Sequence, residues 1–427
     1  MKEDWVDIKI GDIFKTITGT TPSKKNPDNY GNEVPLVKPP QLNNSVISES
    51  SEYLSQEGAS LARILPVNSV LITCIGNLGR VGINKIPIGF NQQINAILPL
   101  KQVNSKFTFY QAQNPYFKEQ LNYLGSATTV SIVNKGKFDT IVYRLPPLPI
   151  QRAIVQKIET LFTSLDKGIA DLKQAQQQLK IYRQAVLKKA FEGAFVPECS
   201  SWHKVKIRSL CEVVRGGSPR PAGDPKYYGG GIPFLKVADL TRNEGAFLNS
   251  HTYTIKEAGL RKTRIVEPNT LLLSNSGATL GIPKICTFET TFNDGIAAFL
   301  GIEPESLLYH YYFWLSKTKE LRNINQGAAQ PNLNTSLIGD TEIIIGNLAD
   351  QKQTVKEIET RLSVCDQVEQ SISEALEQSE ALRQSILKKA FDGELLSEEE
   401  IEACKREKDY EPAGELLKRI QKEKKIN

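Results

Sequence analysis

From Ile154 onward apolar or small residues return at alternating steps of four and three: Ile158, Leu161, Leu165, Gly168, Leu172, Ala175, Leu179, Tyr182 and Val186. A stripe with a mean spacing of about 3.5 residues, sustained over about five heptads, predicts a long helix whose seam faces another helix. A rougher version follows at Thr354, Ile358, Arg361, Cys365, Val368, Ile372, Ala375, Ser379, Leu382 and Ile386, with Leu362, Val364 and Leu376 beside its poorer positions. The two stretches are copies. Ile158-Glu159-Thr160 recurs as Ile358-Glu359-Thr360, Leu187 to Gly193 recurs as Leu387 to Gly393, and Gln151 and Asp166 match Gln351 and Asp366. One offset of 200 residues serves every pair. An unbroken register of that length identifies an internal repeat. Pro146, Pro147 and Pro149 mark the start of the first helix, since proline is tolerated only in a helix's first turn. The second begins at Gly346-Asn347-Leu348-Ala349-Asp350-Gln351, without prolines. Gly193 and Gly393 stand where a helix commonly closes on a left-handed residue. At 1.5 Å per residue, each helix is a rod on the order of 60 Å long.

The segments between the helices repeat more loosely. Trp5 to Ile10 aligns with Trp202 to Ile207, Gly19-Thr20-Thr21-Pro22 with Gly216-Gly217-Ser218-Pro219, and Tyr30-Gly31 with Tyr228-Gly229. Val34 to Lys38 aligns with Ile232 to Lys236, and Asn68 to Thr73 with Asn269 to Ser274. Short β-branched runs alternate with Gly, Pro and Asn turns, which predicts compact β-rich domains with a few helices. The expected class is α+β: two similar β-rich domains separated by two long antiparallel helices that form an intramolecular coiled coil, with pseudo-two-fold symmetry. The expected boundaries are 1–149 and 194–349 for the domains, 150–193 and 350–393 for the helices, and 394–427 for a charged helical tail.

Charge supports pairing of the helices. Residues 150–193 hold 8 basic and 4 acidic side chains, and residues 350–393 hold 6 and 9, so the rods carry opposite net charge. The domains are only mildly basic, with 15 Lys/Arg against 11 Asp/Glu in 1–149 and 16 against 14 in 194–349. A nucleic-acid partner would therefore have to be met by local loops rather than by bulk charge. The 6 cysteines are scattered without a CxxC pair, and the 3 histidines are not spaced as a metal pair. Reduced thiols in a cytoplasm are expected, with no metal site. No stretch reaches the roughly 20 apolar residues of a membrane helix, and the first residues show no leader pattern.

With its repeat, its Leu-Pro-Pro-Leu-Pro-Ile-Gln helix start (145–151), its Leu-Lys-Lys-Ala-Phe-[Glu/Asp]-Gly helix ends and its Pro412-to-Ile420 tail, the chain resembles the specificity subunits of type I restriction–modification enzymes. The resemblance covers nearly the whole length. It implies two target recognition domains, each reading half of a bipartite site on double-stranded DNA. It implies helices that set the unread spacer and dock two modification (adenine methyltransferase) subunits, to which restriction (endonuclease/translocase) subunits add. No cofactor is expected on this chain, and no catalysis; S-adenosylmethionine, ATP and Mg are expected on the partner subunits. A prokaryotic cytoplasm is the expected location. Two-fold symmetry in a protein matches half-sites that face opposite ways on a duplex.

Catalytic motifs are not found. Asn114-Pro115-Tyr116-Phe117 comes closest to the tetrad of an adenine methyltransferase but lacks its second proline. The glycines from Gly76 to Gly82 have the wrong spacing for a dinucleotide loop, and no phosphate-binding GxxxxGK[ST] sequence occurs.

Three loop types per domain are candidates for DNA contact. The first holds Lys24, Lys25 and Asn26, and in the second copy Arg215 and Arg220; its glycines would let backbone approach phosphate and its cations would neutralise it. The second holds Asn77 and Arg80, matched to Asn275 and Thr279. These loops follow an apolar strand, and Asn and Arg can bond bidentately to adenine and guanine edges. The third is the pair Lys38/Gln41 and its counterpart Lys236/Asp239. Asn91-Gln92-Gln93, Lys135, Lys137 and Gln326 to Gln330 are weaker candidates. The row Gln174, Gln176, Gln177, Gln178 and Gln184 suits docking of a protein partner.

Overall fold

The computed structural model describes residues 4–125, 130–196, 202–242, 244–277, 279–324 and 333–426. The chain divides into two compact units, residues 1–172 with 374–427, and residues 173–373. Each long helix, Leu148–Ala190 and Leu348–Phe391, contributes residues to both.

In the first unit the domain closes on itself where its first strand, Val6–Lys9, pairs antiparallel with its last, Val142–Leu145. A five-stranded sheet runs in the order Thr16–Thr18, Ile94–Ile97, Val70–Thr73, Val81–Asn84, Ser45–Ile47. A four-stranded sheet runs Tyr53–Leu54, Tyr30–Val37, Ile88–Phe90, Ile64–Leu65. The strands Val70–Thr73, Val81–Asn84 and Ile94–Ile97 are buried at every position. That is why they read as continuous apolar runs rather than alternating ones.

The second unit repeats this plan strand for strand. His203–Lys206 pairs with Glu342–Ile345. Its sheets run Glu212–Arg215, Ile296–Leu300, Thr270–Ser274, Pro283–Cys286, Phe247–Leu248, and Tyr253–Ile255, Tyr228–Leu235, Thr290–Phe292, Arg264–Val266. Local irregularities repeat as well. The long strand shifts register between Tyr30 and Val34 and between Tyr228 and Ile232. Asn68 and Asn269 both take left-handed φ, at 66° and 63°, a conformation asparagine tolerates better than most residues.

Each unit packs the start of one long helix against the end of the other, antiparallel. In the first unit Ile150, Ile154, Ile158 and Phe162 share a core with Ile386, Leu387, Ala390 and Phe391. In the second, Leu187, Ala190 and Phe191 share one with Val355 and Ile358. Arg383 pairs with Asp166 in the first unit; Arg183 pairs with Asp366 at 2.7 Å and Glu369 at 2.8 Å in the second. At the helix starts a buried glutamine donates back to the preceding turn, Gln151 to the Pro146 carbonyl at 2.8 Å and Gln351 to the Gly346 carbonyl at 3.0 Å. Where the second start lacks prolines, the Asn347 side chain accepts from Asp350 N at 3.0 Å, an N-cap in their place. Gly193 and Gly393 follow the helices with φ of 83° and 74°.

Two sequence expectations need correction. The seam departs by one position at two turns of each rod: Gly168, Tyr182, Val368 and Leu382 are exposed, and their neighbours Ile169, Arg183, Glu369 and Arg383 are partly buried instead. A straight α-helix drifts by roughly 20° per heptad from a 3.5-residue repeat, so a strict four-three count misses the buried face at some turns. The tail is more than a charged helix. Its helices Glu398–Lys405 and Ala413–Ile426 pack into the first unit's core through buried Cys404, Leu416 and Ile420. Arg152 reaches Glu407 at 2.6 Å and Asp409 at 2.7 Å, and Lys157 reaches Glu400 at 2.7 Å.

The five described cysteines are buried and unpaired. No helix among the described residues is long and apolar enough to cross a membrane.

Candidate nucleic-acid interface

Two of the three loop types meet in each domain, and a tyrosine joins them. The Tyr30 hydroxyl donates to the Pro22 carbonyl at 2.8 Å, and the Tyr228 hydroxyl donates to the Pro219 carbonyl at 2.8 Å. Each bond folds the first loop back onto the long strand that carries Lys38 or Lys236. A turn at 91–93, or at 293–295, lies under this junction. Gly19 N donates to Ile94 O at 3.1 Å and Gly216 N to Ile296 O at 3.1 Å. A Cβ on Gly19 would lie 2.1 Å from Asn91 O, and one on Gly216 would lie 2.4 Å from Asn293 O. These glycines therefore allow two backbones to touch; the expectation that they bring backbone to phosphate is corrected to that extent. The same turn reaches the second loop, because Cys74 N donates to Gln93 O and Asn275 N to Gly295 O.

In the first domain Lys24 and Lys38 share the carboxylate of Glu52, with the Lys24 contact at 3.2 Å. Hydrogen bonding from Lys38 holds the Glu52 carboxyl below the usual range against the effect of burial, and Lys24 adds to it. Lys25 and Asn26 are exposed, the Asn26 side chain accepting from Asp28 N at 3.2 Å. Arg63 donates to the Thr18 carbonyl at 2.6 Å and so braces the first loop from the other side.

The second domain builds the corresponding face with more cations. Arg215 Nε donates to Asp294 O at 2.6 Å, and Arg220 stands 3.9 Å from the Asp294 carboxylate. Arg264 Nε donates to Arg215 O at 3.0 Å, the counterpart of Arg63. Lys236 Nζ lies 3.6 Å from the centre of the Tyr253 ring, and Lys226 and Lys262 flank Tyr227 at 5.5 and 5.6 Å.

Gln41 and Asp239, expected among the DNA-contacting residues, act as structural caps. Gln41 accepts from Lys38 N and donates to Ser50 Oγ, each at 2.8 Å. Asp239 is 2% exposed and accepts from Lys236 N, Thr252 N and Thr252 Oγ1. Its oxygens are occupied inside the protein. The second-loop pairing also shifts. Thr73 Oγ1 donates to Asn77 O at 2.6 Å and Ser274 Oγ to Thr279 O at 2.6 Å, while Gly79 N and Gly281 N return to the Thr73 and Ser274 carbonyls. Asn77 therefore matches Thr279, Arg80 matches Ile282, and Asn275 matches the buried Cys74. Asn275 is 0% exposed and its amide finds no hydrogen-bond partner among the described residues, so it does not face a groove. Asn77 is exposed, and Arg80 and Thr279 are half-buried.

Lys135 pairs with Asp139 at 2.7 Å, and Lys137 donates to Leu124 O at 3.0 Å. Gln326 to Gln330 lie outside the described residues. Asn114 caps the helix Pro115–Leu124 by accepting from Tyr116 N at 3.2 Å, which gives the tetrad-like sequence a structural role. The sequence reading missed Arg63 and Arg264, Tyr30 and Tyr228 as organisers, and Glu52. The arginines and tyrosines could have been found, because each pair falls at matching positions of the repeat. Glu52 has no acidic counterpart.

The family model for the type I restriction modification DNA specificity domain matches this chain twice, at residues 2–174 and 200–378. The chain belongs to the type I restriction–modification specificity subunits. Its function is DNA sequence recognition within such a system. Full-length relatives include the StySPI specificity subunit of Salmonella potsdam, 21% identical over 100% of this chain and 97% of that one. The EcoBI specificity subunit of Escherichia coli is 25% identical over 99% and 93%. Among solved structures, the HsdS subunit from Thermoanaerobacter tengcongensis shares the fold at a TM-score of 0.61, with 18% identity over 92% of this chain and 98% of that one. A chain from a study of assembly and conformational transition of the type I R-M system aligns at 0.71, with 19% identity over 92% and 99%. The specificity subunit thus keeps its frame at low identity.

Proposed function

We propose that each repeat domain of this specificity subunit reads one half of a bipartite duplex site, and that the two helices set the spacer and dock two adenine methyltransferase subunits. Restriction subunits join those partners, in a prokaryotic cytoplasm. S-adenosylmethionine, ATP and Mg belong to the partners, and this chain directs chemistry without performing it. One observation carries the reading: two domains with the same strand order, joined by nearly identical helix ends, differ at the loops that converge on Tyr30 and Tyr228. A constant frame with variable loops is what independent readers of different half-sites require. The contacting groups proposed are Lys25, Asn26, Asn77 and Arg80, and Arg215, Arg220, Lys236 and Thr279; Lys24 and Lys38 are held by Glu52 instead. Docking on the helices is supported by apolar side chains left exposed in the second unit, Ile181, Val364 and Val368, beside the glutamine row. The test replaces residues 1–149 with the first domain of a relative and sequences the sites methylated by the reconstituted complex. One half-site should change while the other and the spacer stay. Changes in both together would overturn independent reading.

A further inference from the structure

Lys38 and Lys236 occupy equivalent places. Each follows the long strand, and each backbone N–H donates at 2.8 Å to the side chain three residues on, Gln41 or Asp239. What faces the ammonium differs. In the first domain Leu36 N donates to Glu52 O, and the Glu52 carboxylate holds both Lys38 and Lys24. In the second, Phe234 pairs with Tyr253 at the corresponding register, and Lys236 sits on that ring with no carboxylate partner among the described residues. A carboxylate cancels charge, whereas an aromatic face attracts a cation and leaves its charge whole. In the same domain's loops Arg215 and Arg220 meet Asp294 and Arg264 meets Arg215, while Asp239 directs its carboxylate to Lys236 N and Thr252. This local contrast runs against the overall counts, in which the first domain is the more basic.

We infer that the two readers divide the work unequally: Lys236, seated on Tyr253, clamps a DNA phosphate, while Glu52 withholds Lys38 and Lys24 from the backbone. The second domain then supplies most of the sequence-independent affinity, and the first adds discrimination with little charge. This rests on the proposal that these loops face DNA.

The test needs no knowledge of the target bases. Binding of the full chain to a labelled mixed-sequence duplex is measured across a salt series, because each phosphate neutralised adds about one to the slope of log affinity against log salt. Lys236→Gln should lower that slope by about one and weaken binding several-fold at low salt, and Lys236→Arg should keep both. Lys38→Gln should leave the slope unchanged, and Glu52→Gln should steepen it by about one as a cation is released. Equal losses from Lys38→Gln and Lys236→Gln would overturn the inference. So would a loss with Lys236→Arg as large as with Gln, since charge would then not be the cause. Wild-type binding that ignores salt would instead overturn the proposal that the loops face DNA.

Discussion

The two units share one plan and differ in what has been added to it. Both close a pair of sheets with a strand pair between their ends, and both seat a helix-end phenylalanine in their core. The first unit alone carries the tail helices. It also has Arg144 donating to Phe391 O at 2.6 Å and to Asp392 at 2.7 Å, where the second has Ile344. That leaves a groove of about 770 Å³ over Ile344, Phe191 and Phe313 in the second unit. The contrast teaches where a duplicated subunit is free to change. Backbone pairing and the helix-end anchors fix the frame, since one residue of slip would turn every strand side chain to the wrong face. Polar groups in the loops, and Arg144 against Ile344 beside the helix ends, do not hold the register, so they diverge.

The anchors should give the largest effects. Phe391 lies 5.1 Å from Phe107, and Phe191 lies 5.1 Å from Tyr309 and 5.5 Å from Phe313. Phe391→Ala and Phe191→Ala should each cost about 3–5 kcal/mol. Hydrogen exchange should show the loss mainly in the unit that holds the ring. Equal loss of protection in both units after either change would mean that they do not unfold separately.

Acid should separate the units next. In the second, His310 is buried, and burial pushes its pKa down from 6.5 to about 4; the helix position it holds is filled in the first by Thr108, bonded to the Tyr143 hydroxyl at 3.0 Å. A histidine kept neutral by burial supports folding fully above its unfolded pKa and loses that support as pH falls from 6.5 toward 4. The loss is about 3 kcal/mol for a shift of this size. The second unit should lose exchange protection first in this window, and His310→Thr should flatten the difference. Identical acid profiles for wild type and variant would refute it.

A third contrast lies at the two caps. Asp239→Ala leaves Lys236 N and the Thr252 donors without their acceptor inside the protein, at a cost of about 2–3 kcal/mol. Gln41→Ala removes a half-exposed neutral cap and should cost about 1 kcal/mol. Chemical denaturation of the two variants ranks them; a larger effect at Gln41 would reverse the comparison.

How much of this was legible in the sequence follows from the range of the interactions. The helices and their duplication were readable because 3.6-residue periodicity is local and the copies hold one offset. The strand pairs on either side of Asn68 and Asn269 were readable as turns between apolar runs. The sheet order was not, because Ser45–Ile47 joins Val81–Asn84 through contacts that leave no local pattern. Asn275 reads as a loop amide, and only the hydrogen bonds that match Gly281 with Gly79 show that the loops differ in length by one residue. Asp239 reads as a polar group after a strand, since the Thr252 donors that bury it lie 13 residues on. Arg183 and Arg383 read as solvent positions because the seam was counted on a 3.5-residue period.

The smallest expected effect tests the tail. Arg152 and Lys352 are equivalent across the repeat, but among the described residues only Arg152 has a partner to meet: it forms a two-pronged contact with Asp409 at 2.7 and 2.9 Å and reaches Glu407 at 2.6 Å. Asp409, aided by Glu407, raises the Arg152 pKa against the opposing effect of partial burial, so the guanidinium is charged at every accessible pH. Forked geometry favours the pair, but 40% of the side chain is exposed and solvent screens it. Arg152→Ala should therefore lower the stability of the first unit by only about 0.5–1 kcal/mol at low salt, and by less in concentrated salt. Lys352→Ala should change nothing at either. Thermal melts of both variants at two salt concentrations read the difference. If Arg152→Ala costs as much at high salt as at low, the tail is held at this point by packing on Cys404 and Leu416 rather than by charge.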